Sequence, residues 1–146
     1  MKLPKNKKVY FASDNHLGLN AELSSEEREK FFVKWLDKVS KDAAAIYLLG
    51  DLFDFWFEYK KVVPKGFVRV LGKLAELTDT GIPVTFFVGN HDLWMKDYFK
   101  KELGVTIHHN PIDIKIDRVW HLACPASPYF YQKDPIKTSK INFLGT

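Results

Sequence analysis

The sequence predicts an α/β domain whose chemistry gathers at the carboxyl ends of its strands. Three observations carry this expectation. Apolar runs rich in β-branched and aromatic residues at 9–12, 45–49 and 84–88 have the length and composition of buried strands. Each runs directly into a polar motif: Ser13-Asp14-Asn15-His16, then Gly50-Asp51, then Gly89-Asn90-His91-Asp92. Amphipathic stretches of helical period separate the runs, giving a β-α-β rhythm. In an open α/β sheet, ligands bind in the crevice beyond the strand ends.

The elements follow in order. Lys2, Lys5, Lys7 and Lys8 make the start basic, and the first apolar run is far too short for a signal-peptide core. Ser24 followed by Glu27 is a capping-box pattern, which predicts a helix to about Lys41. Phe31, Phe32, Trp35, Leu36 and Val39 form its apolar face. Lys30, Lys34, Lys38 and Lys41 are interspersed with Glu26, Glu27, Glu29 and Asp37, as on a solvated face. A second helix is predicted over 67–77, with Val70, Leu71, Leu74 and Leu77 on one side, ending before Gly81-Ile82-Pro83. A third, shorter helix covers 96–103 and stops at Gly104. His108 and His109 fall in a polar stretch before Pro111, where solvation is expected. The run Phe53-Asp54-Phe55-Trp56-Phe57-Glu58-Tyr59 has two readings: core packing, or a wall beside the site that receives an acyl chain or stacks a base.

Composition narrows the class. A chain of 146 residues is one domain by length, enough to bury about 68–70% of its extended-chain surface. Hydrophobic content of 46% and charged content of 27% are those of an ordinary globular protein. The single cysteine, Cys124, excludes an internal disulfide and fits a reducing, cytoplasmic compartment. No apolar run approaches the ~18 residues of a membrane span. The net charge of +4 attracts phosphates or anionic membrane surfaces but is too small and dispersed for a nucleic-acid groove.

The motifs together describe a metal site. On an extended strand end, residues i and i+2 point to one side, so Asp14 and His16 can ligate one ion. Asp51 follows a glycine, and its carboxylate can share two cations held ~3.5–4 Å apart. Asn90 offers a neutral carbonyl oxygen. Mixed nitrogen and oxygen ligation without thiolate suits Mn, Fe, Zn or Mg with catalytic positions left open. Gly50 and Gly89 let the backbone turn sharply into a ligand. His91 then faces elsewhere, placed to donate a proton to a leaving oxygen or to hydrogen-bond a phosphoryl oxygen. Asp92 is expected to hold that imidazole in one tautomer. Each motif alone is also a common turn; the three together, each behind a strand, are what carry the reading.

The set S-D-x-H, G-D and G-N-H-D resembles the calcineurin-like metallophosphoesterase superfamily. Gly50-Asp51-Leu52-Phe53-Asp54-Phe55-Trp56, with the following Phe57 to Gly66 segment and Trp94-Met95, is similar to the UDP-2,3-diacylglucosamine hydrolases within it. The resemblance covers roughly residues 8–117. It implies a mixed-sheet sandwich flanked by helices (α/β/β/α). It also implies two divalent cations, in the first instance Mn: Asp14 and His16 on one, Asp51 bridging, Asn90 on the second, and His91 on phosphate. The implied activity is cleavage of the pyrophosphate of UDP-2,3-diacylglucosamine to UMP and 2,3-diacylglucosamine 1-phosphate, a lipid A precursor, with peripheral contact at the cytoplasmic face of the inner membrane. Other expectations are a phosphodiesterase or phosphatase acting on soluble nucleotides, and an inactive fragment.

From Arg118 onward the pattern departs. The superfamily supplies further histidines, one on a later strand and a final G-H-x-H, and a Gly-His-Gly-Asp stretch soon after the strand near 112–117. Here Arg118-Val119-Trp120-His121-Leu122-Ala123-Cys124-Pro125 stands instead, and Pro125, Pro128 and Pro135 interrupt any regular element. Residues 1–146 are therefore expected to be a single truncated domain with an atypical tail at 118–146, either frame-disrupted or with His121 as a displaced ligand.

Overall fold

A computed structural model describes residues 4–113, and the fold is that of the compact unit Lys2–Ile112. Most of the expected strand at 112–117, together with His121, Cys124 and the 118–146 tail, lies outside the described residues. The order is β1 (Lys8–Ala12), α1 (Ser25–Val39), β2 (Ala43–Leu48), α2 (Val68–Asp79), β3 (Val84–Phe87), α3 (Tyr98–Leu103) and β4 (Thr106–His108). The strands form one parallel sheet in the order β1-β2-β3-β4. An α/β fold is therefore present. The second sheet of the expected sandwich, and any antiparallel strand, are not among the described residues.

A helix lies in each connection between neighbouring parallel strands, and α2 packs against both α1 and α3; right-handed crossovers, the general rule, put such helices on one face when the strand order runs one way. Tyr10 of that face meets Trp35 of α1 edge-on. The paired row Tyr10, Ile46 and Val84, with Leu48 and Phe86, points toward the helices. Ile46, Leu48, Phe86, Leu36, Leu74 and Phe99 make the core between the layers. The opposite face carries a row of stacked rings, Phe11 on Tyr47, Tyr47 near Phe87 and Phe87 on His108.

The capping box at α1 forms as expected: the Ser24 hydroxyl accepts from the Glu27 N–H, and the Glu27 carboxylate accepts from the Ser24 N–H. Phe32, Leu36 and Val39 are buried, but Phe31 is exposed. Glu29 departs further from the expected solvated face. It is buried, and its carboxylate accepts from the Arg69 and Val70 N–H groups at 2.9 and 3.1 Å. The start of α2 has no side-chain cap from its own N-cap residue, Phe67, so a carboxylate from α1 satisfies donors that would otherwise be orphaned. Val70, Leu71, Leu74 and Leu77 are buried on one side of α2 as the periodicity implies. β4 was not anticipated: its three residues are an edge strand too short for a periodic signal, and it half-buries His108 against Phe87.

Candidate metal centre

The parallel pairing of β1 and β2 does not stop where the strands end. Leu49 N–H donates to Ala12 O, Asp14 N–H to Gly50 O, His16 N–H to Asp51 O, and Leu17 N–H to Leu52 O. Asp54 N–H then returns to Leu17 O. This irregular ladder holds residues 14–17 beside residues 50–54. Arg28 of α1 braces the outer side, its guanidinium donating to the carbonyls of Asn15 and Leu19. The third motif joins through Asp51, whose Oδ1 accepts the His91 N–H at 2.9 Å.

Asp14, His16 and Asp51 each bring one donor atom within 4.8 Å of the others. They converge by a route the strand argument did not foresee. Asp14, His16 and Asp51 have φ of 54°, 43° and 52°, left-handed values that non-glycine residues adopt at a cost of order 1–3 kcal/mol each. The alternation of an extended strand therefore does not align Asp14 with His16; two left-handed residues flanking Asn15 do. Asn6, Lys60 and Phe67 share such values, but at Asp14, His16 and Asp51 the left-handed backbone falls on three residues whose donor atoms converge.

The glycines have different roles. Gly50 sits at φ 93°, where a turn needs it. Gly89 is required for space: a Cβ there would lie 2.2 Å from Asp51 Oδ1 and 2.6 Å from the Asp51 nitrogen. Asn90 is exposed in the turn that follows, between Gly89 and the His91 N–H held by Asp51.

A second donor group shares His16: His16, Asp54 and His91 bring donor atoms within 4.8 Å of one another. The two imidazoles meet edge-to-face at 4.6 Å, and Asp54 Oδ1 is 3.7 Å from the Nδ1 of each. His91 Nδ1 lies 2.7 Å from the Asp54 carbonyl oxygen. A carbonyl only accepts, so Nδ1 carries the proton and Nε2 is left free for a ligand or a further proton. That bond to the Asp54 carbonyl, with help from the Asp51 and Asp54 charges, pushes the imidazole pKa upward. Asp54 was missed as a site residue because it reads as part of an aromatic run; the D-x-x-D spacing from Asp51 was the available signal.

Asp92 does not hold the His91 ring. It is fully buried behind the turn, with Oδ1 accepting from Phe53 N–H at 3.3 Å and Oδ2 without a hydrogen-bond partner among the described residues. Burial pushes its carboxyl up to about 6. The residue following His91 points into the protein, and Asp54 is what holds the imidazole.

Carboxylates and imidazole, with no thiolate among them, fit a hard or borderline divalent cation. Beside Asp54 opens a cleft of about 620 Å³, lined by Leu17, Gly18, Phe55 and Phe67 with Lys65 and Arg69. The cleft touches the donors only through Asp54, so it adjoins the centre rather than containing it.

The family model described as calcineurin-like phosphoesterase matches residues 7–140. The UDP-2,3-diacylglucosamine hydrolase of Porphyromonas gingivalis is 48% identical over 109 residues, covering 75% of this chain and 42% of that one. The protein of the same name from Vibrio parahaemolyticus is 35% identical over 97 residues, 66% of this chain and 38% of that one. The chain thus spans well under half the length of these relatives. A relative of another kind, UDP-glucuronic acid decarboxylase 5 of Arabidopsis thaliana, is 44% identical over 92 residues, 56% of this chain and 26% of that one.

Proposed function

The chain belongs to the calcineurin-like phosphoesterase family, and from that premise we propose that its activity is divalent-metal-dependent hydrolysis of the pyrophosphate of UDP-2,3-diacylglucosamine, giving UMP and 2,3-diacylglucosamine 1-phosphate. The observation that carries this is the convergence of Asp14, His16 and Asp51 on strained left-handed backbone, in a chain 48% identical over its aligned part to a hydrolase of that name. Asp14, His16 and Asp51, with Asn90 from the third loop, would hold two cations, Mn first among candidates. Cations bound there supply Lewis acidity to the phosphoryl oxygens and lower the pKa of an attacking water. His91, fixed through Nδ1 by Asp54, presents Nε2 to the phosphoryl group or the leaving oxygen. The bond to the Asp54 carbonyl raises its pKa, which favours the charged, donating form. Lys65 and Arg69 offer cationic partners for substrate phosphate at the cleft. The protein would work on the cytoplasmic side, where this substrate meets the membrane.

The test is UMP release from UDP-2,3-diacylglucosamine by the purified chain with saturating Mn²⁺. The expected result is metal-dependent turnover abolished by Asp51→Ala. Background activity at saturating metal, or cleavage of soluble nucleotides but not of the diacylated substrate, would overturn the proposal.

A second reading concerns the tail, where the family match runs on to residue 140 without the expected histidine motifs and a decarboxylase likeness covers 56% of the chain. We infer that this likeness, which at 56% of the chain reaches well beyond the residues after Asp117, includes them, and that the tail has a different origin from the phosphoesterase motifs before it. Sequencing independent genomic clones across the Asp117–Arg118 codons tests it. One continuous frame, with an intact protein mass to match, is expected; a frame break there would overturn it.

A further inference from the structure

The cleft beside Asp54 contains a residue that the needs of the helix do not explain. Phe67 lines it from the N-cap of α2, a position where Ser, Thr, Asp or Asn is preferred because the side chain satisfies the first N–H groups. A phenylalanine cannot do so, and its φ of 59° is a left-handed value that a bulky residue rarely adopts. Glu29 of α1 supplies the missing cap through the Arg69 and Val70 N–H groups. Phe53 anchors the Phe67 ring edge-on, with centroids 4.8 Å apart. The ring tip reaches over Gly18, where a Cβ would lie 3.3 Å from Phe67 Cζ and 3.8 Å from Asp54 Cβ. A glycine at 18, itself at φ 109°, therefore lets the ring and Asp54 come close from two sides. The ring is only half-buried. A cap position given to a strained, half-exposed aromatic residue, with the capping done from another helix, points to a use for the ring in the cleft.

The rest of the lining indicates the use. The volume of about 620 Å³ lies within the ~300–1,000 Å³ of small-molecule sites. Phe55, Pro64 and Phe67 provide apolar walls, and Glu26, Glu29, Asp54, Lys65 and Arg69 line the same space. A hydrocarbon chain laid there would strip water from charged groups and return no hydrogen bonds. A planar heterocycle carrying a sugar does not have this cost. Its ring covers the phenyl groups, and its hydroxyls and polar edges meet the charged ones. Arg69 is shared with Glu26 and Glu29 at 3.3 and 3.5 Å. Lys65, on the exposed loop before Gly66, is the cation better placed to meet a phosphate.

We propose that this cleft binds the nucleoside arm of the substrate, with the pyrimidine ring stacked on Phe67 and the attached phosphate passing Lys65. The cleft meets the candidate centre at Asp54, whose Oδ1 is 3.7 Å from the Nδ1 of both His16 and His91. An arm lying in the cleft therefore emerges where the pyrophosphate is cleaved. The cleft reads the base, and the centre works on the phosphates. The inference rests on the proposed function for the expectation that the substrate is a nucleotide.

Calorimetric titration of the Mn²⁺-loaded full chain with UMP and with ribose 5-phosphate tests it, because the two share a sugar phosphate and differ in the base. Stacking on an aromatic side chain is worth about fivefold or more per base, so UMP should bind at least ~5-fold tighter. Phe67→Leu keeps apolar bulk against Phe53 and should bring the two affinities nearly together. Lys65→Ala, at an exposed position, should weaken both ligands by a similar factor and preserve their ratio. Saturation transfer from aromatic side-chain protons to uracil H5 and H6 should be seen in the parent, a reading independent of how well Phe67→Leu folds. Equal affinity of the parent for the two ligands, absence of that transfer, or an unchanged preference in a folded Phe67→Leu chain would overturn the cleft assignment. If UMP is still released from the diacylated substrate in that case, the proposed function stands. A base preference that depends on Phe67, in a chain that releases no UMP, would instead overturn the proposed function and leave the cleft assignment standing.

Discussion

Replacing Gly89 with alanine puts the packing of the candidate centre under direct strain. The glycine is not in the left-handed region, so the demand is for space alone. A Cβ would meet Asp51 Oδ1 at 2.2 Å, the Asp51 nitrogen at 2.6 Å and Asp51 Cγ at 2.8 Å. Ordinary contact begins near ~3.4–4 Å, so Asp51 must move by about 1 Å. Rotating the carboxylate relieves two of these contacts, but the backbone nitrogen remains. Rotation also sacrifices the hydrogen bond that Oδ1 accepts from His91 N–H. Overpacking of this kind costs about 1–3 kcal/mol, or roughly 4–12 °C in melting temperature for a unit of this size. The larger effect is on metal. Ligand distances tolerate about ±0.2 Å, so a bridging carboxylate displaced by ~1 Å should lower Mn²⁺ affinity by ~10–100-fold or more. Gly72→Ala in α2 is the matched control: its Cβ meets nothing within 4 Å, and it should stabilise by about 0.5–1 kcal/mol with metal binding unchanged. Thermal shifts measured across a Mn²⁺ titration read both quantities. A metal-induced shift in Gly89→Ala equal to that of the parent would refute the reasoning.

Three further outcomes follow from the same geometry. His91→Asn should lower turnover by ~10²–10⁴ with metal content intact; loss of one metal equivalent would make His91 a ligand, and unchanged turnover would make it structural. Asp54→Asn removes a carboxylate charge 3.7 Å from both imidazoles and should weaken Mn²⁺ binding about tenfold or more in calorimetric titration; unchanged affinity would contradict its place at the centre. Asp92 titrates near 6 in the fold against an unperturbed value of 3.8, so the native state keeps a proton that the unfolded chain has lost. Its contribution therefore falls as pH rises from about 4 to about 6, a loss of order 3 kcal/mol. Metal-free Asp92→Asn should be flatter than the parent across that window in urea melts, and parallel curves would contradict the assignment.

Much of this was legible in the chain because the relevant signals are local. The three apolar runs specify strands, Ser24 and Glu27 specify where α1 begins, and the spacing of Val70, Leu71, Leu74 and Leu77 specifies which face of α2 is buried. What was hidden depends on partners distant in sequence. Glu29 looks like one more solvated acid until α2 places two unsatisfied N–H groups over it. Asp54 looks like punctuation in an aromatic run until the ladder from Leu17 sets it beside His16. Asp92 adjoins a site residue in sequence, yet the turn sends it to the interior. Asp14, His16 and Asp51 do come together, but left-handed backbone, which no alternation rule encodes, brings Asp14 to His16. The aromatic run divides, with Phe53 and Trp56 packed in the core and Phe55, Phe57 and Tyr59 outside it.

The central claim is that Asp14, His16 and Asp51, with Asn90, hold a pair of divalent cations, and metal stoichiometry tests it most directly. After equilibrium dialysis against Mn²⁺, elemental analysis of the parent chain should return two ions per chain. Asp51→Ala should lose more metal than the corresponding alanine variant of any other donor, because it removes the carboxylate placed to serve both ions. A parent chain that retains less than one ion, or an Asp51→Ala chain that retains both, would contradict the account.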